Sequence, residues 1–407
     1  MISIAKAIQI VEQNAPKIGV EQVSIDMAAG RILAEDIVAD MDLPPFDRSQ
    51  MDGFAVRAED VKNAPAELRI VGESAAGGGW HRELKKGEAV RIMTGAPVPI
   101  GADTVQKVEL TSEGNFASDA AQRQDGTITI FEPIDAGKNI VRRAAETKKG
   151  ERIFEAGEYI SERMIATLAA FGYSQVTVSV QPRVAILTTG SEVVEIDRIP
   201  GIDQIRNSNS AMLQALAESA GGIAKLLPST SDELEAIKKV IAEAAENANI
   251  TVVTGGVSVG KYDLTKTALK ELGAEIFFDR IRLKPGKPAV FARIDEKLIF
   301  GLPGNPVSAA VTFYLFVRKA LLSMQGALTT DLRGGRAIAG AKLKAARERD
   351  TYLPAKLSTD DKARLVVAPV KWIGSSDFIG FARADALAFI PAGKQIETGE
   401  ITEILLL

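Results

Sequence analysis

The spacing of apolar positions changes along the chain, and each change marks a change of architecture. Ile4, Ile8 and Val11 recur at helical spacing behind Ser3, which predicts a capped amphipathic helix near the N-terminus. An extended stretch over 31–38 runs into Leu43-Pro44-Pro45. Two adjacent prolines exclude a helix interior or a central strand, so the run to Phe54 reads as a shaped loop. From about 54 to 140, short apolar runs (Val56, 68–71, 89–92, 104–105, 127–130) alternate with Gly, Pro and Asp turns, the pattern of a small all-β unit. Ser161 then opens a helix to Phe171, closed by Gly172.

From about 176 the pattern becomes α/β. Apolar strands at 184–187, 222–227 and 250–253, and extended segments at 276–283 and 298–300, alternate with helices. These helices start at Asn209 or Ser210, behind a Thr230–Glu233 capping box, at Leu264, and near Val307. The alternation predicts a doubly wound, mostly parallel sheet. The apolar run Val307–Val317, interrupted by Thr312 and stopped by Arg318-Lys319, reads as a core helix too short for a bilayer. Short strands after about 330, such as 365–367 and 386–390, predict a small C-terminal β domain.

Composition narrows the chemistry. The 407 residues include no cysteine and one histidine, His81. Disulfides, iron–sulfur clusters, thiolate zinc sites and cysteine nucleophiles are excluded, and a Ser-His-Asp triad or a His-rich zinc site is disfavoured. Carboxylates, Lys, Arg, hydroxyls and backbone amides remain, which points to oxygen-ligated Mg²⁺ and phosphate-type substrates. Lys and Arg total 49 against 53 Asp and Glu, a net charge of −4, which argues against nucleic acid as the main partner. No basic segment followed by an apolar one opens the chain, so a cytoplasmic protein without membrane association is expected.

Ligands of open α/β sheets bind beyond the carboxyl ends of the strands. Four distinctive loops fall there: Thr188–Glu192, Thr254–Asp263, Lys284–Pro288 and Gly301–Pro306. Gly255, Gly256 and Gly260 let backbone N–H groups approach an anion, Ser258 adds a donor, and a helix N-terminus follows. Lys284 and Lys287 place two cations on a proline-stiffened turn. Glu192, Asp232 and Asp263 are candidate ligands for a Mg²⁺ that would reconcile carboxylates with a phosphate. Each feature has a plainer reading: a glycine turn, a solvated loop, an exposed acid at Glu192, helix caps at Asp232 and Asp263. His81 reads as a surface residue, and Trp80 and Trp372 as packing residues.

The run Pro45-Phe46-Asp47-Arg48-Ser49-Gln50-Met51-Asp52-Gly53-Phe54-Ala55-Val56 resembles the signature loop of the molybdopterin molybdenumtransferases, the MoeA proteins and the E domain of gephyrin. Arg91–Pro99, Gly255–Asp263, Lys284–Pro288 and Gly301–Ala309 resemble the same family, in family order. The resemblance implies an elongated homodimer of four-domain subunits. Here these are 1–45 with 141–177 (mixed linker and dimerisation domain), 46–140 (β-rich lid), 178–327 (α/β, molybdopterin-binding) and 328–407 (C-terminal β domain). It also implies an activity: adenylylated molybdopterin and molybdate are substrates, Mg²⁺ is required, AMP is released, and molybdenum passes to the dithiolene.

Carried over by position, Asp52 and Thr94 match lid residues contributed across the dimer. Glu192, Asp232, Asp263, Lys284 and Lys287 match the acids and lysines of the site. Thr189, Gly190, Gly255, Gly256, Ser258, Gly260, Pro303, Asn305, Pro306, Arg142 and Ser375 fall at substrate-binding positions. Many relatives carry Arg-Gly-Glu-Asp where this chain has Arg143-Ala144-Ala145-Glu146, so Glu146 stands where an Asp is expected. The implied partners are a molybdopterin adenylyltransferase and molybdoenzyme-maturation proteins. The alternatives are an adenylyltransferase acting on molybdopterin itself, or a gephyrin-like non-enzymatic scaffold.

Overall fold

The computed structural model describes residues 1–114, 126–231, 233–256, 264–371 and 373–407. The chain forms two compact units. One comprises Met1–Glu35, Ala156–Ala166 and Ser174–Leu407, the other Asp36–Glu155 and Thr167–Tyr173.

A six-stranded sheet organises the first unit: β1 (Arg183–Thr188), β2 (Ile223–Leu226), β3 (Ile250–Thr254), β4 (Glu275–Arg280), β5 (Pro288–Ile294) and β6 (Lys297–Leu302). Their order is β2-β1-β3-β6-β5-β4. The first four in that order run parallel, and β5 is antiparallel to β6 and β4. The sheet is mostly parallel, as the α/β pattern predicts. The hairpin strand β5 is not anticipated by that pattern, and the extended stretch expected over 276–283 splits into β4 and a short strand Leu283–Lys284.

Strand periodicity explains the two covered faces. Ile186, Val252 and Phe300 point to one face, where they meet α1 (Ile4–Asn14), α2 (Ser208–Ser219) and α5 (Pro306–Met324). Their chain neighbours Leu187, Val253 and Ile299 point to the other face, against α3 (Leu234–Asn247) and α4 (Leu264–Glu271).

Helix ends follow side-chain chemistry. The Ser3 hydroxyl accepts the Lys6 N–H at 3.2 Å. Helix α2 begins at Ser208, just before the expected start, because the Asn207 side chain accepts the Ser210 N–H at 3.0 Å. The capping box expected from Thr230 does not form. Glu233 occupies the N-cap without a side-chain bond, and Thr230 instead extends the sheet, its N–H donating to the Thr188 carbonyl at 3.2 Å. Arg318 and Lys319 do not stop α5. Lys319 is 5% exposed and paired with Asp331 at 2.6 Å and Glu12 at 3.4 Å, Arg318 donates to the Thr330 carbonyl at 2.5 Å, and with both charges accommodated the helix runs on to Met324. The helix is long and apolar enough to cross a membrane, but 83% of its most apolar window is buried inside the protein, as in a core helix.

The C-terminal part is a closed β barrel. Asp350–Thr359 pairs with both Leu365–Pro369 and Ala386–Ile390, and Gly334–Ala339 and Ile401–Leu406 complete the ring around Ala355, Val367, Ala388 and Ile404. Closure leaves no free sheet edge within the ring. The strand Leu283–Lys284 pairs in parallel with Asp350–Thr351 and so joins barrel to α/β sheet.

The second unit holds the expected β sheet, with order Thr104–Lys107, Gly53–Val56, Glu88–Ile92, Ala66–Ser74, Thr127–Ile130. Trp80 packs directly on Gly72, whose missing Cβ would lie 2.0 Å from the indole, and His81 is exposed. Trp372 lies outside the described residues. Ion pairs tie the signature loop to the return segment: Arg142 to Asp47 at 2.6 Å, Arg143 to Asp42 at 2.5 Å, and Glu146 to Arg48 at 3.1 Å. Between them Ala144 takes φ +61°, in the left-handed region that favours glycine.

Ala144→Gly should raise stability by about 1 kcal/mol, because glycine occupies the left-handed region without the Cβ clash. A melting temperature equal to or below wild type would refute this. The same segment should be acid-sensitive. The Lys149 N–H and the Arg143 guanidinium hold Asp42 below the usual carboxylate range. Burial pushes Asp47 up, but the Arg143 N–H and Arg142 outweigh it and its net shift is also downward. Depressed carboxyl pKa values add stability above the unfolded value of about 4, and that stability is lost as pH falls through the folded values. Amide exchange around 42–47 and 142–151, corrected for intrinsic rates, should therefore speed up on acidification below that value.

Candidate functional site

Sheet register places the loops. Thr188 pairs with Thr254, and Thr254 with Leu302, so Thr189, Gly255 and Pro303 leave the sheet at one level. The Thr189 N–H donates to the Thr254 carbonyl at 2.9 Å, and the Gly255 N–H to the Leu302 carbonyl at 3.3 Å. Antiparallel β5 starts at that same edge, which brings the Lys284–Pro288 turn beside them.

Two adjoining cavities open there. The larger, about 890 Å³, takes Thr189, Gly190, Glu192, Gly255, Gly256 and Pro306 among its walls. Its floor is backbone that tolerates no side chain. At Gly255 (φ +94°) a Cβ would lie 2.4 Å from the Thr189 carbonyl, and at Gly190 (φ +140°) 2.6 Å from the Glu192 carboxylate. Among the described residues, the buried Thr189 hydroxyl has no hydrogen-bond partner. The smaller cavity, about 460 Å³, gathers Lys284, Lys287 and Arg349 with the hydroxyls of Ser308 and Ser375. Three cations and two hydroxyls around one space suit a compact oxyanion. Pro288, Pro303 and Asn305 line both cavities and form their common wall. The Asn305 side chain donates to the Ser375 hydroxyl at 2.9 Å, and the Val307 N–H to the Ser375 carbonyl at 3.1 Å.

The structure thus gathers Thr189, Gly190, Glu192, Gly255, Gly256, Lys284, Lys287, Pro303, Asn305, Pro306 and Ser375 around one sheet edge. Asp232, Ser258, Gly260 and Asp263 lie outside the described residues. Asp52, Thr94 and Arg142 belong to the second unit. There the Asp52 carboxylate accepts both the backbone N–H of Thr94 at 2.7 Å and its hydroxyl at 3.1 Å. Among the described residues, no three His, Asp or Glu side chains group as a metal cluster.

Sequence reasoning missed Arg349, Ser308, Asn207 and Asn209. Arg349 precedes the strand that pairs with Leu283–Lys284, so a long-range pairing delivers it and no local motif announces it. Asn209 was visible only as a helix-start residue.

A glycine-floored cavity sharing a wall with a cationic one marks an α/β protein with room for two ligands side by side, the cationic cavity suited to an anion. Comparison with known proteins then gives the family. The MoeA N-terminal region (domains I and II) matches residues 2–172, the probable molybdopterin-binding domain 185–323, and the MoeA C-terminal region (domain IV) 336–407. The chain is 34% identical to a molybdopterin molybdenumtransferase of Staphylococcus aureus (strain COL) over 410 residues, covering all of this chain and 95% of that protein. One from Staphylococcus epidermidis is 33% identical over the same lengths. The crystal structure of the molybdopterin biosynthesis MoeA protein from Pyrococcus horikoshii OT3 superposes with a TM-score of 0.84 at 29% identity, covering both chains completely. The chain belongs to the MoeA, or molybdopterin molybdenumtransferase, family.

Gly255→Ala should weaken AMP binding about tenfold or more, because the floor must shift away from the Thr189 carbonyl to admit a methyl group at positive φ. Titration calorimetry giving wild-type affinity would show that the floor does not contact the ligand.

Proposed function

We propose that this chain transfers molybdenum from molybdate to adenylylated molybdopterin and releases AMP. As a member of the family it is an enzyme of molybdenum cofactor biosynthesis. The observation that carries the finer reading is the wall shared by the two cavities. The larger has the size and backbone lining for a nucleotide-linked pterin, and the smaller has the charge for an oxyanion. Their common wall brings the acceptor and the incoming metal oxyanion side by side.

A Mg²⁺ ion fits the donor set on the larger cavity. Such an ion takes one or two carboxylates and completes its shell with water and substrate phosphate oxygens. Glu192 would supply the described carboxylate and the unpartnered Thr189 hydroxyl another oxygen, with Asp232 and Asp263 as further proposed ligands. When bound, the ion supplies positive charge against the diphosphate. The Gly256 N–H orients the phosphates, since that of Gly255 is engaged by the Leu302 carbonyl, while Lys284, Lys287 and Arg349 hold the oxyanion. Asp52 and Thr94, with Arg142, act from the second unit, in our reading supplied by the partner of a cytoplasmic homodimer. Asp47 already engages Arg142 within the unit.

The test combines purified protein, adenylylated molybdopterin, Mg²⁺ and either molybdate or tungstate, following AMP release and metal incorporation. Both should require all components. ATP consumption on free molybdopterin would favour an adenylyltransferase, and neither activity would favour a scaffold. Arg349→Ala and Lys287→Ala should each raise the molybdate concentration required about tenfold or more while AMP binding stays near wild type. An unchanged molybdate requirement would remove the smaller cavity from the reaction.

A further inference from the structure

Asn209 is 7% exposed and sits in the first turn of α2, on the wall of the larger cavity. Its side-chain nitrogen has two hydrogens and both are committed. One goes to the Thr254 hydroxyl at 3.0 Å, the other to the Gly304 carbonyl at 2.8 Å. The Thr254 hydroxyl donates onward to the Pro303 carbonyl at 3.0 Å. The amide's orientation follows from Gly304, since the reversed group would set oxygen against oxygen. One side chain therefore ties the start of α2, the end of β3 and the loop after β6. Among the described residues its oxygen is buried without a partner, an unsatisfied group kept beside the two bonds of its nitrogen.

The loop it holds is the common wall. Pro303 and Asn305 flank Gly304 and face both cavities, whereas Asn209 itself lines only the larger. We propose that Asn209 is a positioning residue for the transfer: its amide fixes the Pro303–Asn305 wall, so that ligands in the two cavities meet at a set distance. The identity of those ligands rests on the function proposed above; the mechanics of the wall do not.

Full-length Asn209→Ala and, separately, Thr254→Val test it with two measurements. The first is molybdate affinity by titration calorimetry. The second is amide exchange at Val307 and Ala309, whose N–H groups bond the Ser375 carbonyl at 3.1 Å and the Asn305 carbonyl at 2.9 Å. Both variants should bind molybdate about tenfold more weakly and exchange these two amides about tenfold faster, with exchange in β3 unchanged. A role confined to the larger cavity would leave molybdate affinity alone, and general destabilisation would speed exchange in β3 as well. Wild-type values in either measurement, or faster exchange throughout the sheet, overturn the proposal. If Asn209→Ala does not fold, Thr254→Val decides on the same readings. If the wild-type protein binds no molybdate, the ligand assignment falls and amide exchange alone decides on the wall.

Discussion

Everything at the site depends on the backbone register of three strands. Thr188, Thr254 and Leu302 lie side by side because their strands are hydrogen-bonded in parallel and in step. A one-residue slip would send each apolar side chain to the opposite face of the sheet. The same register that keeps Ile186 and Leu187 in separate cores also makes three loops emerge at one level. Core packing and site geometry are thus one constraint: hydrophobic burial sets the register, and the register positions the glycines.

Much of this was legible from residue types. Continuous apolar strands separated by amphipathic helices announced the doubly wound sheet, and the distinctive loops fell at strand ends where such sheets bind ligands. What stayed hidden was non-local. The hairpin strand β5 is as apolar as its neighbours, and its direction is set by a two-residue connection, Asp295-Glu296, between paired Ile294 and Lys297. Charged Arg318 and Lys319 end the apolar run but not the helix, and nothing in the local sequence shows Asp331 and Glu12 waiting for Lys319. Asn209 read as an ordinary helix-start residue because its partners, Thr254 and Gly304, are 45 and 95 residues away.

The absence of cysteine takes on a definite meaning beside the proposed chemistry. Soft sulfur ligands for molybdenum are carried by the pterin, so the protein contributes only hard groups: guanidinium, ammonium, hydroxyl, amide and carboxylate. Such groups hold an oxyanion reversibly and do not compete with a dithiolene for the metal. A chain with thiolates at this wall would risk retaining what it is built to hand on.

The short strand Leu283–Lys284, paired with Asp350–Thr351, also sets a sequence of events during synthesis. Most of the larger cavity's wall comes from residues between 188 and 306, which leave the ribosome together. The smaller cavity must wait for Arg349 and Ser375, and hence for the barrel that carries them. A nascent chain can build its nucleotide-sized recess early, yet it cannot concentrate the positive charge for an oxyanion until its last domain docks. The capacity to gather both reactants then arises only in the finished subunit, so fold completion itself acts as a licence for the chemistry.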